Sequence, residues 1–309
     1  MKSIVATPGE SPILEKSGLM SDLAELIKAR LTMLVLLTTA VGYYLGAERG
    51  VDWLGLFHAV FGTAMAAAGA AALNQWWERP HDALMHRTRE RPIPAGRMRP
   101  RNAFLVGAAL AVAGVVYLAA SCNWLSALLA AATIGIYILA YTPLKRISTV
   151  NTLVGAVPGA LPPMIGWAAA TGGISLEPWL LFLIIFFWTP PHFWALSLTR
   201  TEDYARARIP MLPVVAGGTE TRRQILLYSI TLVPVGVAPW LFGYADAVYG
   251  ITALVAGLFM VAFAWRVRNE REGARADRAA HHLFAFSILY LFVLFAVLLV
   301  EGGLGGFGG

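Results

Sequence analysis

The sequence of residues 53–82 is WLGLFHAVFGTAMAAAGAAALNQWWERPHD, a long apolar run with a polar end. The apolar part, 53–76, is long enough to cross a bilayer, which takes about 20 residues of helix. At its end Asn74, Glu78 and Asp82 place an oxygen-bearing side chain at every fourth position. Positions i, i+4 and i+8 lie on one face of a helix. We therefore predict a membrane-spanning helix with three oxygen ligands stacked at one end.

The composition of the whole chain is that of a membrane protein. Of its 309 residues, 58% are hydrophobic and 14% are charged, and the mean hydropathy is +0.63, whereas soluble domains carry about 25% charged residues. The other apolar segments of spanning length cover 29–47, 103–121, 124–142, 150–171, 177–198, 224–243, 247–265 and 281–300. Prolines interrupt the 150–171 segment, which is tolerated where neighbouring helices satisfy the backbone. We predict an all-α integral membrane protein, a bundle of about nine transmembrane helices.

Basic residues are distributed unevenly over the predicted loops. All but one of the 24 Lys and Arg residues lie in the N-terminus or in the loops after the second, fourth, sixth and eighth helices, and the exception is Arg49. By the positive-inside rule this distribution places the N-terminus in the cytoplasm. The net charge of +6 is then a topology signal and an attraction to anionic lipid or phosphate. It does not indicate a nucleic-acid partner.

The remaining features point to one integral domain. Residues 1–25 are mixed and polar, without the apolar core of a secretory signal peptide. The single cysteine, Cys122, excludes an intramolecular disulfide and a cysteine-based metal cluster. We divide the chain into a polar cytoplasmic segment, 1–25, one transmembrane domain, 26–301, and a Gly-rich tail, 302–309.

The polar end of the second predicted helix has the ligands that Mg²⁺ uses when it binds together with substrate phosphates. Arg87 and Arg91 follow it and have the fork geometry that binds phosphate. The alternative is that Glu78 and Asp82 are boundary charges that offset neighbouring arginines. Pro80 removes a backbone hydrogen bond and should kink the helix end, so the helical spacing is only approximate there. The pattern predicts a diphosphate site at the membrane surface.

Other basic and acidic residues lie at the same predicted face of the membrane. Asp203, within Glu202-Asp203-Tyr204, comes four helices after the first cluster in the same orientation, which suits the far side of a Mg²⁺-bridged diphosphate. By itself such a cluster is also typical of a helix cap or a solvated turn. Two basic pairs, Lys28 with Arg30 and Lys145 with Arg146, could bind phosphate or simply anchor the helices at the interface.

His192 is an ionisable residue late in the predicted span 177–198. Such a residue is a site candidate by default. The alternative is a histidine whose ring nitrogens are satisfied by backbone groups that Pro190 and Pro191 leave free. The residues alone leave both interpretations open.

These motifs, taken in order from about residue 26 to 300, resemble those of the UbiA-type intramembrane prenyltransferases. The matching stretches are Lys28-x-Arg30, Asn74-x-x-x-Glu78-x-x-x-Asp82-Ala-x-Met85-x-Arg87-Thr88-x-x-Arg91-Pro92, Tyr141-Thr-Pro-Leu-Lys145-Arg146, Pro191-His192-Phe-Trp-Ala-Leu and Asp203-Tyr204 with Ile209-Pro-Met-Leu-Pro213-Val. The last two stretches are similar to the haem-modifying branch. Two departures are Glu78, where the family often has Asp, and Pro80-His81, which interrupts a stretch that is usually rich in Arg and Asp.

The resemblance implies a bundle around a central cavity that opens to the cytoplasm and to lipid. It implies farnesyl diphosphate as donor, haem B as acceptor, Mg²⁺ as cofactor, and, besides the lipid bilayer, a haem A synthase or a terminal-oxidase assembly as partner. His192 would contact the haem. Mg²⁺ would be held, through the diphosphate, by Asn74, Glu78, Asp82 and Asp203. Lys28, Arg30, Arg87, Arg91, Lys145 and Arg146 would bind the phosphates, and the catalytic set would be Asn74, Asp82, Lys145 and Asp203.

Two other functions remain open at this level. One is a related prenyltransferase with another acceptor, such as a hydroxybenzoate or a quinone precursor, against which the His-Phe-Trp run argues. The other is a transporter for an anionic or lipid substrate, because broken helices with charged half-ends also occur in transporters. A transporter has no need of stacked carboxylates beside phosphate-binding arginines, so the cluster favours an enzyme.

Overall fold

The computed structural model describes residues 18–47, 50–86 and 88–305, and these residues form helices joined by turns. In chain order the helices are α1 (Leu19–Leu26), α2 (Ala29–Gly46), α3 (Trp53–Asp82), α4 (Pro100–Ser121), α5 (Trp124–Gly135), a π-helical segment (Ile136–Tyr141), α6 (Thr142–Leu144), α7 (Asn151–Ala160), α8 (Pro162–Thr171), α9 (Leu176–Leu198), α10 (Thr201–Arg206), α11 (Leu212–Val215), α12 (Gly217–Leu241), α13 (Ala247–Asn269) and α14 (Gly273–Gly305).

Nine stretches of the described residues are long and apolar enough to cross a membrane. They are α2, α3, α4, α5 continued through the π-helical segment and α6, α7 with α8, α9, α12, α13 and α14. Large apolar side chains such as Phe57, Leu105, Leu258 and Phe292 are exposed on them, as expected of faces that meet lipid. The predicted all-α multi-pass architecture is confirmed.

The proline-rich stretch forms two helices, α7 and α8, that meet at Leu161 with nearly helical backbone angles. Its second half packs directly on α2 because glycines remove the side chains between them. A Cβ on Gly166 would overlap the carbonyl oxygen of Thr39, and one on Gly42 would overlap the carbonyl of Pro163. Small residues at such interfaces allow helix backbones in membranes to touch, and this contact fixes α2 against α8.

We expect Gly166→Ala to destabilise the protein by about 1–3 kcal/mol, the usual cost of overpacking. The added methyl group meets rigid backbone of α2, so the two helices must separate. Thermal unfolding of the detergent-solubilised protein measures the effect. The matched control is Gly159→Ala, because a Cβ there meets nothing within 4 Å. Equal unfolding temperatures for the two variants would contradict the close contact.

Candidate active site

The polar end of α3 is buried inside the protein. The exposed fraction is 1% for Asn74, 7% for Glu78 and 4% for Asp82. The helix continues through Pro80, which has no N–H to donate to the Trp76 carbonyl; the guanidinium of Arg79 donates to that oxygen instead, at 2.6 Å. The helical register is therefore kept, and the three side chains lie on one inward face.

Each of these three side chains is paired with a basic residue from another part of the chain. Lys28 Nζ donates to Asn74 Oδ1 at 2.8 Å, and Lys145 Nζ donates to Glu78 Oε1, also at 2.8 Å. The Arg91 guanidinium donates to Asp82 Oδ2 at 2.6 Å. We call these contacts the three site pairs. They bring together six residues that the sequence proposed for the site, and both carboxylates are neutralised by buried or half-buried cations.

Lys28, which donates to Asn74, has an unusual backbone conformation. Its φ of 50° and ψ of 50° are left-handed, a conformation that residues with a Cβ adopt uncommonly and that is often found at functional sites. The preceding helix α1 is tied down by Gln75, whose side-chain amide donates to the carbonyls of Glu25 and Leu26. Burial, followed by the positive charge of Arg91, lowers the pKa of Lys28 to about 7.

The π-helical segment supplies polar partners that the sequence analysis missed. Pro143 has no N–H for an α-helical bond, and the Thr142 amide donates instead to the Tyr137 carbonyl five residues back. This wider turn lets the Thr142 hydroxyl accept a hydrogen bond from the Asn74 side chain at 3.1 Å and places the Tyr137 hydroxyl 3.3 Å from Asn74 Oδ1. Single π-helical turns are frequent at functional sites. The Tyr-Thr-Pro run carries no periodicity that would have revealed it.

The ends of α3 and α6 and the segment after α10 enclose a cavity of about 20 Å³, enough for about one water molecule. It is lined by Glu78, His81, Asp82, Met85, Lys145, Arg146, Ala207, Arg208 and Ile209. Met85 packs against Tyr204, Ala207 and Ile209, which fixes the second polar segment beside the first. The part of the second segment that lines the cavity is therefore residues 207–209, and Glu202 and Asp203 are not among its lining residues.

The charges around the cavity do not cancel. Glu78 and Asp82 are already paired, whereas neither Arg146 nor Arg208 forms an ion pair within the described ranges. His81 also lines the cavity, and its buried Nδ1 has no hydrogen-bond partner among the described residues. Two guanidinium groups and an unsatisfied ring nitrogen make the cavity suited to an anion. Sequence reasoning treated His81 only as an interruption of the motif.

Two predicted site residues, Asp203 and Arg30, are not brought into this arrangement. Asp203 lies in α10, half-buried, and its side chain makes no hydrogen bond or ion pair to the part of the chain that the structure describes. Arg30 is exposed at the start of α2, without a polar contact to the described residues. Arg87 lies outside the described residues. Their roles remain predictions.

His192 lies in the packed core between α9 and α14. Its ring stacks between Trp188 and Phe284, with ring centroids 4.3 and 4.6 Å away, and its Nδ1 is 2.7 Å from the Ser287 hydroxyl. A side chain of α14, rather than backbone freed at the two prolines, satisfies this nitrogen. The haem-binding role of His192 remains a prediction.

The donor set fits Mg²⁺ only in company with a phosphate. Across the described residues no group of three or more His, Cys, Asp or Glu side chains forms a metal site by itself. The inward face of α3 nevertheless offers two carboxylates and one amide oxygen, and Mg²⁺ is commonly held by one or two carboxylates plus phosphate oxygens and water. The residues therefore fit a metal that arrives with a diphosphate.

Comparisons with known proteins identify the family of the chain. Residues 35–289 match the model of the UbiA prenyltransferase family. The chain is 49% identical to protoheme IX farnesyltransferase of Rhodopseudomonas palustris, over 94% of this chain and 93% of that protein. It is 50% identical to the protoheme IX farnesyltransferase of Azorhizobium caulinodans, over 93% and 94% of the two chains.

Solved structures share the fold. A UbiA homolog from Archaeoglobus fulgidus bound to DMAPP and Mg²⁺ has a TM-score of 0.67 and 18% identity, over 90% of this chain and 99% of that one. The structure of a digeranylgeranylglyceryl phosphate synthase has a TM-score of 0.78 and 15% identity, over 93% and 99%. The family match covers most of the helices, and the curated relatives align almost end to end. The chain is therefore a membrane-embedded transferase that belongs to the UbiA prenyltransferase family.

Proposed function

We propose that the protein transfers the farnesyl group of farnesyl diphosphate to the 2-vinyl group of protohaem IX (haem B), with addition of water. The products are haem O, which supplies haem-copper oxidase assembly, and diphosphate. The observation that carries the proposal is the cavity with two paired carboxylates and two unpaired guanidiniums. The curated relatives, which are named for farnesylation of protohaem IX, support the choice of donor and acceptor.

Substrate binding in this proposal separates the cations of the three site pairs from their present partners. In this proposal Lys145 and Arg91 turn from Glu78 and Asp82 to the phosphate oxygens. The two released carboxylates, with Asn74, would hold Mg²⁺. The metal supplies Lewis-acid stabilisation of the leaving diphosphate. Because the cavity holds only about one water molecule, the side chains must move apart to admit the diphosphate.

The chain's own residues then favour loss of the diphosphate. Negative charge grows on the phosphate oxygens as the carbon–oxygen bond breaks, and fixed guanidinium and ammonium groups in a site of low dielectric stabilise that charge. The rings of Tyr137 and Tyr141 stack with their centroids 5.4 Å apart, beside the three site pairs. In this proposal they help to exclude water from the farnesyl cation. Water is required only after the vinyl carbon has been alkylated.

We also propose that this site lies on the cytoplasmic face of the cytoplasmic membrane, with the N-terminus on the same side. The distribution of Lys and Arg supports this orientation. A reporter that is active only in the cytoplasm, fused to the N-terminus, tests it; an inactive but stable fusion would reverse the orientation.

The function is tested by expressing the protein in membranes that lack haem O and analysing the extracted haems by mass spectrometry. The expected product is heavier than haem B by one farnesyl group plus one hydroxyl group, because the second hydrogen of the added water leaves as a proton. Purified protein should consume farnesyl diphosphate only when haem B and Mg²⁺ are both present, which a transporter would not do. Farnesylation of a hydroxybenzoate or quinone precursor, with haem B unchanged, would overturn the acceptor.

A further inference from the structure

The turn that follows α10 has an unexpected residue at its key position. Arg208 N–H donates to the Ala205 carbonyl and Ile209 N–H donates to the Tyr204 carbonyl, both at 3.0 Å. These two bonds form a Schellman motif, whose C′ position is left-handed and is usually glycine. Here that position is Arg208, with φ of 54°.

A left-handed arginine costs stability that glycine would not. Lys28 and Arg208 are the two non-glycine residues with positive φ in the part of the chain that the structure describes. Both extend a basic side chain toward the same polar cluster: Lys28 donates to Asn74, and Arg208 lines the cavity with Glu78 and Asp82. Strain that recurs at one cluster is typical of functional positions.

Neighbouring residues fix the backbone of Arg208 by packing, and its guanidinium makes no ion pair with the described residues. Ala207 and Ile209, on either side, are 3% and 5% exposed and pack against Met85 near the end of α3. The side chain itself is exposed at the mouth of the cavity, and no carboxylate of the described residues pairs with it. Its five N–H donors are therefore free for an anion that enters the cavity.

We propose that Arg208 is a further diphosphate-binding residue, retained at a strained turn because its guanidinium contacts the outer phosphate of the prenyl diphosphate. The inference rests on the proposed function, since it requires a diphosphate in the cavity. If the Arg208 side chain only contacted solvent, replacing it by glycine would relieve the backbone strain without weakening diphosphate binding.

The test compares Arg208→Gly with the wild type by calorimetric titration of the full-length purified protein with inorganic diphosphate and Mg²⁺. Loss of one charge-assisted contact should weaken binding at least about tenfold, while the unfolding temperature stays equal or rises. Arg206→Gln is the matched control, because Arg206 is an exposed arginine two residues away that does not line the cavity. It should bind diphosphate as the wild type does.

Steady-state kinetics provide the second measurement. For Arg208→Gly the KM for farnesyl diphosphate should rise about tenfold, and the KM for haem B should not change. Unchanged diphosphate binding and KM in this variant, with an active wild type, would overturn the role of Arg208 alone. A wild type that binds no diphosphate would overturn the proposed function as well.

Discussion

Replacing Asp82 by Asn is expected to lower haem O formation by about 100- to 1,000-fold, the usual cost of removing one preorganised electrostatic group. Asn keeps the size of the side chain but cannot supply the negative charge that, in the proposed function, would hold Mg²⁺. It also leaves Arg91, which donates to the Asp82 carboxylate at 2.6 Å, without a counter-ion. Haem O per amount of inserted protein, measured at saturating Mg²⁺, gives the result.

Glu90→Gln is the control for this change. Glu90 is a carboxylate in the loop that follows α3, and its side chain is 64% exposed in a surface pair with Arg89, so activity should stay close to that of the wild type. A properly inserted Asp82→Asn protein with full activity would show that Asp82 has no part in metal binding.

Replacing Lys145 by Met is expected to have two effects. The carboxylate of Glu78, whose side chain is 8% exposed, loses its partner, and breaking a buried pair costs about 3 kcal/mol or more. The site also loses a cation that stabilises the leaving diphosphate, so product formation should fall by at least about 100-fold. Thermal unfolding and haem O analysis measure the two effects separately.

The double change Lys145→Met with Glu78→Gln separates stability from catalysis. Neutral Gln no longer requires a cation, so the unfolding temperature should return toward that of the wild type. Activity should remain lost, because nothing replaces the ammonium group beside the phosphate. A double variant that is both stable and active would reduce Lys145 to a counter-ion for Glu78.

Local patterns predicted much of this molecule. Hydropathy and length are sufficient for the nine spanning stretches, because each helix satisfies its own backbone in lipid. The four-residue spacing of Asn74, Glu78 and Asp82 also predicted that they share one helix face. The helix continues past Pro80 because Arg79 donates to the Trp76 carbonyl. Properties carried by one helix can be read from its own sequence.

Properties that depend on packing between helices could not be read in the same way. Nothing in the sequence says that Lys145 pairs with Glu78 while Lys28 takes Asn74, because these partners meet only once α1, α3 and α6 are docked. The π-helical segment and the Ser287 partner of His192 were missed for the same reason. The strain at Arg208 was also invisible, since a basic loop residue gives no sign of its backbone angles.

The backbone contact between α2 and α8 affects how loss-of-function variants at its glycines should be interpreted. Gly42 lies about 20 Å along the helix from Ala29, and Ala29 directly follows Lys28. Displacing α2 near its far end therefore shifts an ammonium group at its beginning, so a glycine substitution at this helix contact will imitate a defect in substrate binding. Inactive variants at Gly42 or Gly166 thus identify a mechanical support of the site, and kinetics alone would misassign them to its chemistry.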